Sequence, residues 1–185
     1  MRRIFVDTSV LFPFSVMDLL LALTENGLHH VLWTDELLDE WERVIVRERK
    51  RTAASAASIT AAIRETFEDL RIEPSTYRYR IDAMPGPDPD DHAHSAAAVA
   101  AKVDALVTND ENGFPIDKLA ELGVRVIDPD AYLEELYAEF PDDVLSTVAG
   151  LARSKTRPPM SPADLVAAWE RAGLRRFPAT LRART

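Results

Sequence analysis

The chain has 185 residues, 46% of them hydrophobic, which is enough to bury one sizeable core and carry a small appendage, so one principal domain is expected. It contains no cysteine, which excludes disulfides and thiolate metal sites, leaves oxygen and imidazole as the only metal donors, and makes a cytoplasmic setting the natural expectation. The formal net charge of -9 argues against a generally basic nucleic-acid-binding surface, although the distribution is uneven: residues 1–140 carry 14 Lys+Arg against 27 Asp+Glu, while 141–185 carry 8 against 4.

In MRRIFVDTSVLFPF, Asp7 interrupts the apolar run before it reaches the length of a signal or membrane segment, so neither secretion nor membrane insertion is expected. RIFVD (Arg3 to Asp7) reads as a buried strand ending on a polar turn. A helix follows from Phe14 to Thr24 and stops near Asn26-Gly27. HVLW (His30 to Trp33) is a second strand, after which Thr34 or Asp35 caps a helix whose apolar positions Leu37, Leu38, Trp41, Val44 and Ile45 keep helical spacing. Arg47 to Ser58, charged and then rich in small residues, bends or breaks the chain between two helices. Helix continues over Ile59 to Leu70, and Pro74 to Pro87 is loop with a short strand around Tyr77 to Ile81.

Next come a helix from Pro89 to Lys102, a strand ALVT (Ala105 to Thr108), a helix near Pro115 to Leu122 and a last strand VRVI (Val124 to Ile127). Asp128-Pro129 turns the chain into a helix ending near Phe140-Pro141. Short apolar strands alternating with helices imply a parallel sheet covered on both faces. Beyond Pro141 the texture changes to one helix reaching Arg153, a basic linker RSKTRPPMS, and PADLVAAWERAGL as a capped amphipathic helix. These read as a helical appendage outside the sheet.

Chemistry in an open parallel sheet gathers beyond the carboxyl ends of its strands. Asp7 falls there, as does Asp110, two residues past ALVT. Asp91 lies in the first turn of the helix feeding that strand, and Glu40 lies one turn into the helix after the second strand. Each acid has an ordinary alternative. Asp7 can cap a turn, Glu40 sits at the border of its helix's apolar stripe, Asp88, Pro89 and Asp91 fit N-cap, N1 and N3, and Asp110 fits a turn. Together they are harder to dismiss, because two unit charges about 4 Å apart repel by roughly 1 to 4 kcal/mol between water-like and protein-surface dielectrics. A divalent cation relieves that repulsion, and hard oxygen donors suit Mg²⁺ or Mn²⁺, which can activate water for phosphoester hydrolysis.

IFVDTSVL, TDELLDEWERVI, DPDDHAHSAAAVAAKVDALVTNDENGFP and GVRVIDPDAYL resemble, in order and spacing, the motifs of PIN-domain ribonucleases, and the whole looks like a bacterial toxin of the VapC type. The resemblance covers residues 3 to 137. It implies a three-layer α/β/α PIN-like fold with a central parallel sheet plus a C-terminal helical appendage, divided into a nuclease domain over 1–140 and a helical extension over 141–185. It places Asp7, Glu40, Asp91 and Asp110 at the four acidic positions, as catalytic residues holding Mg²⁺ or Mn²⁺ directly or through water. Thr8, Ser9 and Thr108 match polar residues that orient those carboxylates. Two departures from the pattern matter: Ser9 stands where asparagine is frequent, and TNDENGFP puts Asp110 at an asparagine position and Gly113 at the last aspartate. Glu111 or Asp88 is therefore open as a further member of the site.

The function expected is a metal-dependent endoribonuclease cutting single-stranded or looped RNA with metal-activated water, leaving a 3′-hydroxyl and a 5′-phosphate, and paired with a cognate antitoxin. A homodimer is open. Arg47, Arg49, Lys50 and Arg51, or the basic tail, are the candidate contacts for the RNA backbone. His92 and His94 invite a transition-metal reading but are assigned to the helix surface, and Trp33, Trp41 and Trp169 are assigned to the core in preference to base-stacking platforms. An aspartyl-phosphate phosphatase is a weaker rival, since it wants a second acid where Ser9 stands. A non-catalytic PIN-like module that binds RNA or protein is the alternative of a different class.

Overall fold

The computed structural model describes residues 1–184. Four parallel strands, β1 (Arg2–Val6), β2 (His29–Leu32), β3 (Ala105–Val107) and β4 (Arg125–Ile127), form one sheet in the order β2-β1-β3-β4. Ile4 lies opposite Val31 on one side and Ala105 on the other. Ile4, Phe5 and Val6 are all fully buried, and because neighbouring side chains on a strand point to opposite faces, both faces of the sheet must be covered.

The covering helices are α1 (Thr8–Leu11), α2 (Phe14–Glu25), α3 (Asp35–Arg47), α4 (Ala53–Thr66), α5 (Pro74–Tyr77), α6 (His92–Ala100), α7 (Ile116–Glu121) and α8 (Pro129–Glu139). This is the three-layer α/β/α arrangement expected, with α6 packed on β1 and β3 and α2 on β2. Local chemistry sets the helix starts. Thr34 caps α3 by accepting from the Leu37 N–H at 3.1 Å, and Asp128 caps α8 by accepting from Ala131, with Pro129 supplying a helical φ in the first turn. Leu37, Leu38, Trp41 and Ile45 then turn one stripe of α3 into the core.

The structure corrects the sequence at two places. Tyr77 to Ile81 is no strand: Pro74 opens α5, a 3-10 turn runs over Arg78–Ala83, and the buried Tyr77 hydroxyl and the Arg78 guanidinium both bind the Glu36 carboxylate. Those side-chain bonds bring the segment to α3 and not to a sheet edge. The helix expected from Ile59 begins at Ala53, because the Thr52 hydroxyl caps it through the Ser55 N–H, and it gives way to a 3-10 turn over Glu68–Leu70. The tryptophans are in the core as expected, none more than 3% exposed.

Beyond α8 come α9 (Pro141–Ser154), α10 (Pro162–Arg171) and α11 (Arg176–Arg182), the last unmarked by the sequence pattern. Ser161 and Asp164 form a reciprocal capping box at the start of α10. The three helices pack on α2 and α8. Trp169, fully buried on α10, donates its indole N–H to the Ser15 carbonyl at 3.0 Å. At the start of α11, the Asp130 carboxylate accepts three consecutive backbone N–H groups, from Arg175, Arg176 and Phe177, at 3.0, 2.7 and 2.9 Å.

Candidate active site

From β1 at the middle of the sheet the chain leaves to β2 on one side and reaches β3 on the other, so the crevice beyond the carboxyl ends of β1 and β3 is the topological switch point. Asp7 lies at its floor, 7% exposed. Its backbone N–H continues the ladder to the Val107 carbonyl, and its side chain caps α1 through the Ser9 N–H. One carboxylate oxygen, Oδ2, also accepts the hydroxyls of Ser9 and of Thr108, the latter at 3.0 Å. Thr108 Oγ1 in turn accepts the Asp110 N–H at 2.9 Å, and the Asn109 amide donates to the Ser9 carbonyl. These bonds fix Asp7 against the loop after β3 and commit one oxygen.

Asp91 arrives from a 3-10 turn (Pro89–Asp91) leading into α6. Asp88, not Asp91, does the capping there, so the Asp91 side chain is left for the crevice. Asp110 approaches from the loop after β3, with Oδ1 accepting the Gly113 N–H at 3.1 Å. A Cβ on Gly113 would sit 2.8 Å from Asp91 Oδ2 and 2.9 Å from Asp110 Oδ2, so the absence of a side chain lets the backbone press directly on both acids. Asp7, Ser9, Glu40, Asp88, Asp91 and Asp110 share the lining of one open cavity with Thr8, Phe12, Val44 and Phe114. Glu111 is exposed and does not line it. Thr8 is buried at the cavity, but its hydroxyl finds no hydrogen-bond partner among the described residues, so it orients no carboxylate here.

His94 is the residue the sequence reading misplaced. It is 3% exposed, with Nδ1 3.4 Å from Asp7 Oδ1 and Nε2 3.3 Å from Glu40 Oε2, and its ring lies 5.5 Å from that of Phe5. The signal was present: His94 follows Asp91 by three positions, which puts both on one face of the helix. Glu40 thus meets the other acids through this ring.

The charges answer one another. Burial pushes Asp7 upward, but His94, Ser9 and Thr108 outweigh it and hold its carboxyl below the usual range. Burial, then the charge of Asp7, with further contributions from Asp88 and Asp110, pushes Asp91 up to about 6 against the pull of His94. Burial lowers His94, but Asp7 and Glu40 override it and raise the imidazole to about 9. The crevice is therefore electrostatically short of positive charge at Asp91. One ligand atom each from Asp7, Asp91 and His94 lie within 4.8 Å of one another, a set of oxygen and imidazole donors that fits a divalent cation, with Asp110 at the same rim.

A parallel α/β sheet with acids converging at its switch point defines an α/β protein with a candidate cation site. The PIN-domain family model matches residues 3–112, more than half of the chain, and the chain belongs to that family. Residues 129–183 match the model of the VapC50 C-terminal domain, and the two matches together mark a PIN-domain protein of the VapC toxin type. No curated protein and no solved structure matches the chain significantly.

Proposed function

We propose that the chain is a divalent-metal-dependent endoribonuclease and the toxin of a toxin/antitoxin pair. The observation that carries the reading is the convergence of Asp7, Asp91 and Asp110 from three separate segments at one crevice, where burial and the charges of neighbouring carboxylates, Asp7 foremost, raise Asp91 to about 6. Such repulsion is held in place by the fold and serves no packing purpose, so it supports a site made for a cation. Asp7, Asp91 and Asp110 would hold Mg²⁺ or Mn²⁺, which supplies charge neutralisation at the scissile phosphate and a more acidic water.

The protein's own groups prepare the rest. Ser9 and Thr108 hold Asp7 by one oxygen, so that the other is presented in a fixed direction. Phe12, Val44 and Phe114 give the cavity apolar walls that strengthen electrostatic interactions inside it. Val44 belongs to α3, and the exposed turn just past that helix carries Arg49 and Lys50, which would supply positive charge for the backbone of a bound RNA. Arg51 is engaged otherwise, its guanidinium 4.3 Å above the Phe14 ring.

The test is cleavage of a mixed set of structured and unstructured RNAs with Mg²⁺ or Mn²⁺, with chelator, and with Asp7→Asn. Cleavage should require the metal and fall by more than about a hundredfold in the variant, since even outer partners of a metal site are worth about 10- to 100-fold. Unchanged cleavage by Asp7→Asn sinks the proposed site. A folded chain that binds no divalent cation and cuts no RNA is instead a binding module.

A further inference from the structure

We infer that His94 is itself a ligand of the cation through Nδ1, whose proton is released to solvent as the cation takes its place, with Glu40 gripping the far nitrogen of the ring, so that the site prefers Mn²⁺ and softer transition ions to Mg²⁺. This rests on the metal-dependent reading above. Among the described residues Nδ1 of this buried ring makes no hydrogen bond: Asp7 Oδ1 lies 3.4 Å away, at ion-pair distance but outside hydrogen-bond geometry. A buried polar atom left without a partner is costly and rare in folded proteins. His94 is also the residue that joins Asp7 and Asp91 in the 4.8 Å group, and Nδ1 is the ring nitrogen that faces Asp7.

The other side of the ring supplies an independent argument. Metal-bound histidines characteristically donate their second N–H to a carboxylate, which fixes the tautomer and the ring plane. Glu40 Oε2 stands 3.3 Å from Nε2, on the side of the imidazole away from Asp7, and Glu40 is not among the atoms that gather within 4.8 Å. The ring cannot swing away, because α6 buries its neighbours Ser95, Ala96, Ala97 and Ala98 and Phe5 packs beside it. Glu40 is thereby a positioning residue. Imidazole favours transition metals over Mg²⁺, which prefers an all-oxygen shell and retains its waters.

The experiment is to titrate Mn²⁺ and Mg²⁺ calorimetrically into the full chain and into His94→Gln and Glu40→Gln. Electron spin-echo modulation of bound Mn²⁺ then reports any directly coordinated nitrogen. Thermal melts establish that each variant is folded, and protein labelled with ¹⁵N-histidine identifies the nitrogen without any substitution. Bound Mn²⁺ should carry one imidazole nitrogen, altered by the label and lost in His94→Gln, where Mn²⁺ affinity falls by about tenfold or more and Mg²⁺ affinity much less. Glu40→Gln should keep the nitrogen signal with weaker binding. Mn²⁺ bound by the native chain with no coordinated nitrogen overturns the inference and leaves His94 as an ion-pair partner of Asp7 and Glu40, with the nuclease reading intact. A nitrogen signal that survives His94→Gln overturns it too. Failure of the folded native chain to bind either ion removes the metal-dependent reading itself, and this inference with it.

Discussion

Asp7 serves two purposes with one side chain, capping α1 and facing the crevice. Asparagine caps a helix as well as aspartate does, so Asp7→Asn removes charge while keeping the cap. Without added metal its melting temperature should change little, because relief at Asp91, which the Asp7 charge pushes upward, is set against loss of the charge that Asp7 offers to the buried His94. A large drop in melting temperature would show that Asp7 is held chiefly for structure. Gly113→Ala tests the other wall of the crevice. The new Cβ pushes on the Asp91 and Asp110 carboxylates, so cation affinity should fall severalfold by calorimetry while stability changes by less than about 1 kcal/mol. Of the acids, Asp7, Asp91 and Asp110 were legible from where they fall relative to strands and turns. His94 was legible only as the residue three positions after Asp91; a histidine in an alanine-rich helix otherwise looks like surface until the facing strand and Asp7 are in place.

At the scale of elements, the fold joins β2 to two helices through His29, a fully buried histidine. Its Nε2 donates to the Leu20 carbonyl of α2 at 2.9 Å, which makes Nδ1 the acceptor for the Tyr132 hydroxyl of α8 at 2.7 Å. Burial lowers the imidazole to about 4. Below about pH 6.5 the unfolded chain takes up a proton at this position that the folded chain refuses. The stabilisation is thus complete above that pH and is lost as pH falls toward 4, by up to about 3 kcal/mol. Urea unfolding of native and His29→Gln chains at pH 7.5 and pH 5 should show the native advantage shrinking at the lower pH; an advantage independent of pH would contradict it. The elements themselves were largely readable, since apolar runs and capping residues mark them locally. The Tyr77 to Ile81 segment was not, because its aromatic, β-branched composition suits a strand while Pro74 and the distant Glu36 decide otherwise.

At the scale of the molecule, α9 to α11 are tied to the helices beside the sheet by contacts far apart in sequence, Trp169 to Ser15 among them. The capping box and amphipathic pattern made α10 visible, but its docking place depends on partners that no local pattern encodes. Trp169→Ala should cost about 3–5 kcal/mol. We expect denaturant to unfold the native chain in one transition that this variant shifts as a whole; a separate early transition of the last three helices would show instead that they are an independent unit. The acidic balance of residues 1–140 bears on an antitoxin. A guanidinium offers a fixed fork of donors to carboxylates, so we expect an antitoxin arginine to lie near Asp7 and Asp91 and its association to slow as salt rises. Inhibition unaffected by neutralising every arginine and lysine of the antitoxin's binding segment would place its contact elsewhere.

The hydrogen bond from Thr108 to Asp7 spans 101 positions, and β1 pairs directly with β3 across the same sequence distance. At translation speeds of 5–20 residues per second, roughly 5–20 s separate the synthesis of the two ends of that bond. Until then Asp7 has the Ser9 hydroxyl but neither that of Thr108 nor the loop that carries Asp110 beside it. The crevice is therefore incomplete while the ribosome is still reading the middle of the message, and its acids come together only after the code for both halves has passed.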